Sequence, residues 1–332
     1  MSIAFLLRSM RTALGAVLAV AISAAPGLAA GVDPITICHG SEAAALVPLA
    51  KLQGFYQVEG LEVQTRHFPS GFQALAAMLA GDCALSTAAV PPVVFQALHR
   101  ADFRILAALS SSGQFEGIVA YRDRGIAAPA DLRGRRIAVA RATSAHYFLD
   151  MFLASQGLTA GDVTEVYLQP QEIGPALLAG SVDAAAHWEP NIRNLAKALG
   201  ERAQVFSFPG LVVSPFLLLA RQDVVEQAAS PVQAVLRALI RAEQSMAAAP
   251  DEAARLLAPV YEEPAENFKF VRSLHEFGVR LDQPLPFILE NAARWQIGLL
   301  PAPERPPLPD FMQLIDLKDL RAVRPQAVSI VD

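Results

Sequence analysis

The chain has 332 residues and a formal charge of −5, with 53% hydrophobic and 7% aromatic residues. This mildly acidic balance, without any basic run, argues against a nucleic-acid partner. Half of the chain is apolar, which excludes disorder, and the length suits one large domain or two smaller ones with ample core.

The first thirty residues have the composition of an export signal. Arg8 and Arg11 form a positive start, residues 12–25 are apolar, and small-x-small cleavage points follow at 27–30. Because the apolar run is shorter than the ~20 residues of a membrane span, we expect a cleaved signal peptide over residues 1–30 and a periplasmic protein. An uncleaved membrane anchor is the alternative. Removing residues 1–30 deletes two arginines and no acid, so the charge becomes −7.

Short β-rich segments alternate with helical ones from residue 35 onward. The strands predicted in the first part are 35–38, 61–68, 83–86 and 103–109, with helices at 42–53, 73–80 and 91–99. After a Ser-Ser-Ser-Gly turn, strands are predicted at 117–121, 136–140, 163–168, 182–186 and 204–208, with helices at 143–156, 173–179 and 190–199. This alternation predicts a mostly parallel α/β sheet with helices on both faces.

Two such α/β units predict two lobes. We place lobe 1 at 33–115 plus 215–300 and lobe 2 at 116–214. The apolar segments 117–121 and 216–220 resemble each other and are predicted to pair as crossings between the lobes. Residues 231–296 are predicted to be helical, and 301–332 form a proline-rich tail packing on the surface. A ligand cleft is expected between the lobes.

The two cysteines, Cys38 and Cys83, fall on two predicted strands. An exported protein can oxidise such a pair, provided that the Cα atoms come within about 7 Å. Two buried thiols that act as small apolar side chains are the alternative.

The tetrapeptide His187-Trp188-Glu189-Pro190 directly follows a predicted buried strand. In open α/β sheets, ligands bind at the carboxyl ends of strands. We therefore expect Trp188 to stack on a ligand. Glu189 either receives a polar N–H from the ligand or caps the helix that Pro190 begins.

Several other helices are predicted to start at the carboxyl end of a strand. Helix N-termini present free N–H groups and a partial positive charge, so they attract anions without an arginine. Each of these serines and threonines taken singly is compatible with plain N-capping. The predicted starts are at Ser41, at Ser70 and Gly71, at Thr143 and Ser144, and at Pro190.

Three histidines raise the alternative of a metal site. His39 ends the first strand, His187 precedes the tryptophan, and His146 lies in a predicted helix. Imidazoles together with a thiolate or Glu189 could bind zinc, nickel or copper. No two of these histidines have ligand spacing on one helix, so ordinary hydrogen-bonding histidines are the competing interpretation.

Ordered segments over residues 35–220 resemble the periplasmic substrate-binding proteins of the nitrate/sulfonate/taurine/bicarbonate ABC-transporter family. They are the segments 49–56, 59–63, 77–82, 131–139, 143–147, 157–163 and 179–190. The resemblance implies a type II periplasmic-binding-protein fold, with two Rossmann-like α/β lobes that are joined by two crossover strands and close on a ligand. It also implies an inner-membrane ABC permease as partner and no catalysis.

The loop 139–144 departs from the Val-Pro-x-Gly-Ser-Thr pattern of that family. It contains Arg141 and has neither proline nor glycine, which changes its stiffness. Arg141 is either an anion partner or a solvated loop charge.

The prediction is thus a monomeric, cofactor-free binding protein for a small anionic or zwitterionic solute of the sulfonate, taurine or nitrate kind. A binder of a pyrimidine or thiamine precursor and a metal or metallophore carrier using His39, His146 and His187 are the alternatives. An enzyme is not expected, because no nucleophile elbow, zinc-protease, Walker or dinucleotide motif is present. The predicted ligand-binding residues are His39, Ser41, Ser70, Gly71, Thr87, Arg141, Thr143, Ser144, His146, Trp188 and Glu189.

Overall fold

A computed structural model of the chain describes residues 34–227 and 229–331. The predicted export signal lies outside the described residues. The strands in chain order are β1 Ile35–His39, β2 Val63–His67, β3 Leu85–Ala89, β4 Phe103–Ser112, β5 Glu116–Tyr121, β6 Arg136–Val139, β7 Thr164–Tyr167, β8 Ala184–Trp188, β9 Ala203–Phe206, β10 Ser214–Arg221 and β11 Glu276–Arg280.

The α-helices follow the strands closely in the first two thirds of the chain and dominate the last third. They are α1 Leu46–Leu52, α2 Phe55–Val58, α3 Gly71–Leu79, α4 Val90–Ala97, α5 Ser144–Ser155, α6 Pro170–Leu178, α7 Asn191–Leu199, α8 Gln222–Gln227, α9 Ala229–Ala248, α10 Pro250–Tyr261, α11 Ala265–Ser273, α12 Leu285–Gly298 and α13 Lys318–Val323. Within the described ranges, no helix has the length and apolar character needed to span a membrane.

The strands form two sheets, which we call the first and second lobes together with the helices packed on them. The first sheet has the order β11-β4-β10-β3-β1-β2, and the second has the order β7-β6-β8-β5-β9. In each sheet, the strands linked by helices run parallel, as β1 does to β2 and β3, and β6 to β7 and β8. The predicted two-lobed α/β architecture is confirmed.

The predicted pairing of segments 117–121 and 216–220 is wrong. β5 lies in the second sheet, antiparallel to β8 and β9, and β10 lies in the first, antiparallel to β3 and β4. Each strand is apolar on both faces because helices pack on both sides of its sheet. The chain passes between the lobes at residues 113–115 and 207–213.

The prediction that residues 231–296 are all helical is also wrong, since β11 interrupts them. This strand pairs antiparallel with β4 at the edge of the first sheet. Its five residues, in which Phe277 and Val279 alternate with polar or small neighbours, are too short to stand out between two long helical patterns.

The C-terminal tail begins as an irregular proline-rich segment and then joins the first lobe. Residues 305–310 have no regular structure, whereas the side chains of Phe311, Leu314, Leu320 and Ile330 are buried in the core of that lobe. Backbone bridges attach Ile315 to β4 and residue 328 to residue 281. The tail therefore contributes core as well as surface.

Cys38 and Cys83 form a disulfide, with their Cα atoms 5.9 Å apart. β1 lies next to β3 in the first sheet, and Cys83 is two residues before β3 begins. Parallel pairing of these two strands is what brings the cysteines within bridging distance.

Candidate ligand-binding site

A narrow cavity of about 20 Å³ lies between the lobes. The first lobe lines it with Ser41, Ser70, Gly71, Phe72, Ala89, Pro92 and Phe216, and the second lobe with Thr143, Ser144 and Trp188; Phe115, between β4 and β5, completes the wall. Six of the eleven residues predicted to bind ligand are in this lining, and both lobes contribute.

The polar part of the cavity is built from the starts of helices. Ser70 is the N-cap of α3 and accepts a hydrogen bond from the Gln73 N–H at 3.3 Å, and Ala89 precedes α4. Thr143 precedes α5, but its hydroxyl donates to the Ala140 carbonyl instead of capping the helix. First-turn N–H groups of α3 and α5 thus face the cavity and favour an anion, whereas α4 contributes little because Pro91 and Pro92 in its first turn have no N–H.

Two glycines allow the start of α3 to reach the cavity. A Cβ on Gly71 would stand 2.8 Å from the Ala88 Cα and 3.2 Å from the Thr87 carbonyl oxygen. A Cβ on Gly40 would stand 2.5 Å from the Gly71 nitrogen. Both collisions are with backbone, which cannot move aside as a flexible side chain does.

We expect Gly71→Ala to lower the free energy of unfolding by about 1–3 kcal/mol, the usual cost of overpacking. The shift of α3 should also weaken solute binding. The control is Gly298→Ala, at the end of α12, where a Cβ meets no atom within 4 Å. Urea unfolding checks the prediction, and equal midpoints for the two variants would contradict the close-packing argument.

The apolar part of the cavity is aromatic. Trp188 ends β8 and is 7% exposed, and it packs in one cluster with Phe115 and Phe216. The ring of His187 contacts the indole edge-on at 4.5 Å between centroids, and His187 Nδ1 accepts the Trp188 N–H at 2.9 Å. The Trp188 side chain therefore lines the cavity, and contacts with His187 hold its indole in place.

Glu116, which the sequence analysis did not consider, lies outside the cavity lining next to the lining residue Ser144. It begins β5 opposite Trp188, is 3% exposed, and is hydrogen-bonded by the Ser144 and Ser214 hydroxyls. Its Oε1 atom has no partner. Burial raises the pKa of this carboxyl to about 7, although the two hydroxyls act in the opposite direction. The sequence offered one signal for this residue, since Glu116 is a carboxylate that directly precedes the apolar segment 117–121.

The raised pKa of Glu116 predicts a pH dependence of stability in the solute-free protein. Between pH 4.5 and about 7, the folded state holds a proton that the unfolded state has lost, so the free energy of unfolding falls as the pH rises through this window. The loss reaches about 3 kcal/mol for a shift of this size. Urea titrations should show Glu116→Gln gaining on the wild type from pH 5 to pH 8, whereas parallel curves would contradict the burial of a titrating carboxyl.

Five predicted binding residues lie outside the cavity lining: His39, Thr87, Arg141, His146 and Glu189. Glu189 accepts the Arg193 N–H at 3.1 Å and so caps α7, which is the alternative role considered for it. The Glu189–Pro190 peptide bond is cis. Thr87 is buried behind the lining, where its hydroxyl accepts the Gly40 N–H at 3.4 Å. This hydrogen bond helps to hold Gly40 against Gly71.

The three histidines do not converge. The His39 ring lies 5.4 Å from that of His67, and the His187 Nε2 atom lies 3.4 Å from the Pro170 carbonyl oxygen. Burial lowers the pKa of His39 to about 3, with a further contribution from the nearby His67, and lowers that of His187 to about 4. Both rings are neutral. In the described part of the chain, His146 instead groups with Asp150 and Glu165.

Arg141 lies at an outer extension of the cleft. This space shares Ser70, Phe72 and Thr143 with the inner cavity and adds Arg141 and Tyr167. The guanidinium lies 5.4 Å from the Tyr167 ring centroid, in cation–π range. A positive charge at this entrance attracts anions without being buried against them.

The model of the family described as NMT1/THI5 like matches residues 43–253, which is more than half of the chain. The chain belongs to this NMT1/THI5-like family. A taurine-binding periplasmic protein of Escherichia coli (strain K12) is 30% identical over 200 residues, or 59% of this chain and 61% of that protein. The chain therefore matches less than two thirds of the length of this relative.

Solved structures share the fold of this family member. The alkanesulfonate-binding protein SsuA from Xanthomonas axonopodis pv. citri, bound to MOPS, has a TM-score of 0.73 at 24% identity and covers 85% of this chain and 98% of its own. The periplasmic aliphatic sulphonate binding protein SsuA from Escherichia coli has a TM-score of 0.71 at 22% identity and covers 85% and 97%. The periplasmic-binding-protein fold expected from the sequence is confirmed.

Proposed function

We propose that this protein is the solute-binding component of an ABC importer and that it captures a small zwitterionic sulfonate, of the taurine kind, between its lobes. The observation that carries the proposal is the pairing of helix starts at the cavity with the buried, partly unpartnered carboxyl of Glu116, which lies outside the lining but beside the lining residue Ser144. The taurine-binding relative supports the same solute class.

The helix starts suit the sulfonate group. No lysine or arginine is found among the described residues that line the inner cavity. Free N–H groups at α3 and α5, with the hydroxyls of Ser41 and Ser70, are the donors that remain, since the Ser144 hydroxyl is bonded to Glu116. Such donors bind an anion in a desolvated site without a counter-charge that would itself have to be buried.

Glu116 suits the ammonium group. Its free Oε1 atom is an acceptor buried beside Ser144, and it lacks a cationic partner among the described residues. An ammonium ion brought by the solute would supply both a donor and a charge. Its charge would lower the pKa of Glu116 below the raised value, so that the carboxylate and the ammonium are ionised together.

Closure of the lobes buries the solute. Side-chain hydrogen bonds join the lobes in the described residues. Trp295 Nε1 donates to Asp150 at 2.7 Å, and Gln73 donates to Gln169 at 3.4 Å. Asn194 donates to Glu263 at 3.2 Å and accepts from Asn267 at 3.3 Å. Ala89 and Phe216 of the first lobe also share an apolar cluster with Trp188. These contacts support a closed state that hinge motion opens for solute exchange.

The cellular setting is part of the proposal. A cleaved signal over residues 1–30 would deliver the protein to the periplasm, where it would act as a monomer and hand its solute to an inner-membrane permease. The periplasmic relative supports this location. The protein would bind and release its solute without chemical change.

A thermal-shift panel tests the proposal. Taurine at one hundred times its Kd should add ~2.7 kcal/mol of stability, a clear rise in melting temperature. The panel includes ethanesulfonate, nitrate and a hydroxymethylpyrimidine, which stand for the plain sulfonate, the inorganic anion and the pyrimidine precursor. Stabilisation by the pyrimidine alone, or by none of the sulfonates, would contradict the proposal.

A further inference from the structure

We propose that His146, Asp150 and Glu165 form a binding site for a divalent transition-metal ion of the zinc class, behind the solute cavity. This site shares only His146 with the one predicted from His39, His146 and His187. It does not depend on which solute the cleft binds.

The three side chains are spaced as metal ligands. His146 and Asp150 are one turn apart on α5, and Glu165 lies on the neighbouring strand β7. His146 Nε2 is 3.4 Å from Glu165 Oε2 and 3.9 Å from Asp150 Oδ2, and the ligand atoms of all three lie within 4.8 Å of one another. A tetrahedral zinc ion with bonds of about 2.0–2.1 Å holds its ligand atoms at roughly 3.4 Å from one another.

Three polar atoms of this group are buried and lack hydrogen-bond partners. His146 is 1% exposed, and its Nε2 atom points between the two carboxyls without making a hydrogen bond. Asp150 Oδ1 and Glu165 Oε1 are likewise buried without a partner. Three unpartnered polar atoms in one buried group carry a free-energy cost that a cation bound among them would remove.

The remaining carboxylate oxygens have outer partners. Trp295 Nε1 donates to Asp150 Oδ2 at 2.7 Å, and the Tyr167 hydroxyl donates to Glu165 Oε2. Such outer hydrogen bonds orient metal-binding carboxylates. Trp295 belongs to α12 of the first lobe, so closure of the lobes completes this outer shell.

Metal binding requires one local change at His146. The Ala142 N–H donates to Nδ1 at 3.3 Å, which places the proton of the neutral ring on Nε2. A metal at Nε2 would move that proton to Nδ1. Ala142 has φ 58°, an uncommon conformation for a residue with a side chain. Rotation of the 141–142 peptide would bring this φ into the common negative range and turn the Arg141 carbonyl toward the Nδ1 proton.

Calorimetric titration of the chelator-stripped full chain with zinc chloride tests the site. We expect one equivalent to bind, with at least a tenfold loss of affinity in Asp150→Asn and in Glu165→Gln, which keep the side-chain shape. Asp162→Asn, in an exposed turn of the same lobe, is the control and should bind zinc as the wild type does.

Tryptophan fluorescence locates the ion. The chain has two tryptophans, so in a Trp188→Phe background the emission comes from Trp295, which contacts Asp150 directly. Cobalt should quench this emission stoichiometrically. Absence of saturable zinc binding by the wild type, or binding and quenching that persist unchanged in both carboxamide variants, would overturn the proposal.

Discussion

Replacing Glu116 with glutamine should separate zwitterionic from plain sulfonates. We expect taurine to bind Glu116→Gln roughly 10- to 150-fold more weakly, because a hydrogen bond to a charged group contributes about 1.5–3 kcal/mol and 1.4 kcal/mol is tenfold. Ethanesulfonate has no ammonium group to lose. Its affinity should stay the same or rise, since the variant removes a buried negative charge near the sulfonate.

Calorimetric titration of both solutes measures this difference. The control is Asp319→Asn, which neutralises a buried carboxyl that hydrogen-bonds Gln233 in the first lobe and lies outside the cavity lining. This control should leave both affinities unchanged. If taurine and ethanesulfonate weakened equally in Glu116→Gln, the carboxyl would be a support for the cavity and not the ammonium acceptor.

Loss of the Cys38–Cys83 disulfide should have the largest effect on stability. The bridge spans 45 residues of sequence. In the chain-entropy account, a closed loop of this length stabilises the folded state by about 4 kcal/mol. We expect the double variant Cys38→Ala with Cys83→Ala, and the wild type under reducing conditions, to unfold at markedly lower urea concentrations than the oxidised protein.

The comparison between reduced wild type and double variant is the control for cavity formation. Both cysteines are buried, so truncation to alanine removes some packing that reduction leaves in place. Similar losses in the two samples assign the effect to the bridge. Equal urea midpoints for oxidised and reduced wild type would contradict a native disulfide.

The two lobes can be predicted from the sequence because the strands and helices that build them have recognisable local patterns of apolar and turn residues. Buried strands such as β3 and β8 are short runs bounded by turn residues, and their carboxyl ends carry Ala89 and Trp188 of the cavity lining. Helix starts at Gly71 and Ser144 were readable from their preceding cap residues. Parallel pairing then places these starts on one edge of each sheet.

What the sequence hid depends on contacts between distant segments. The pairing of β5 and β10 could not be assigned, because both are equally apolar and only the sheet order decides their neighbours. Glu116 gained its role from hydroxyls 28 and 98 residues away, at Ser144 and Ser214. The sequence placed Glu189 at the end of a strand, where a ligand contact was expected. Its carboxylate instead accepts the backbone N–H of Arg193, four residues later, and caps the helix.

The histidines show the same limit. Adjacency to strand ends predicted that His39, His146 and His187 would share the cleft. The alternation of strand side chains instead sends His187 behind the indole, and the first sheet holds His39 against Tyr261. His146 lies close to Asp150 on α5 and to Glu165 on β7. Only Asp150 could be predicted from the sequence, because it follows His146 by four residues on the same helix.

A crystal structure of the protein grown with taurine tests the central claim most directly. The account predicts one solute between the lobes, with sulfonate oxygens on the first-turn N–H groups of α3 and α5, the ammonium on Glu116 Oε1, and Trp188 against the linker. A solute bound outside the interlobe cavity, or one with its sulfonate against Glu116, would contradict it.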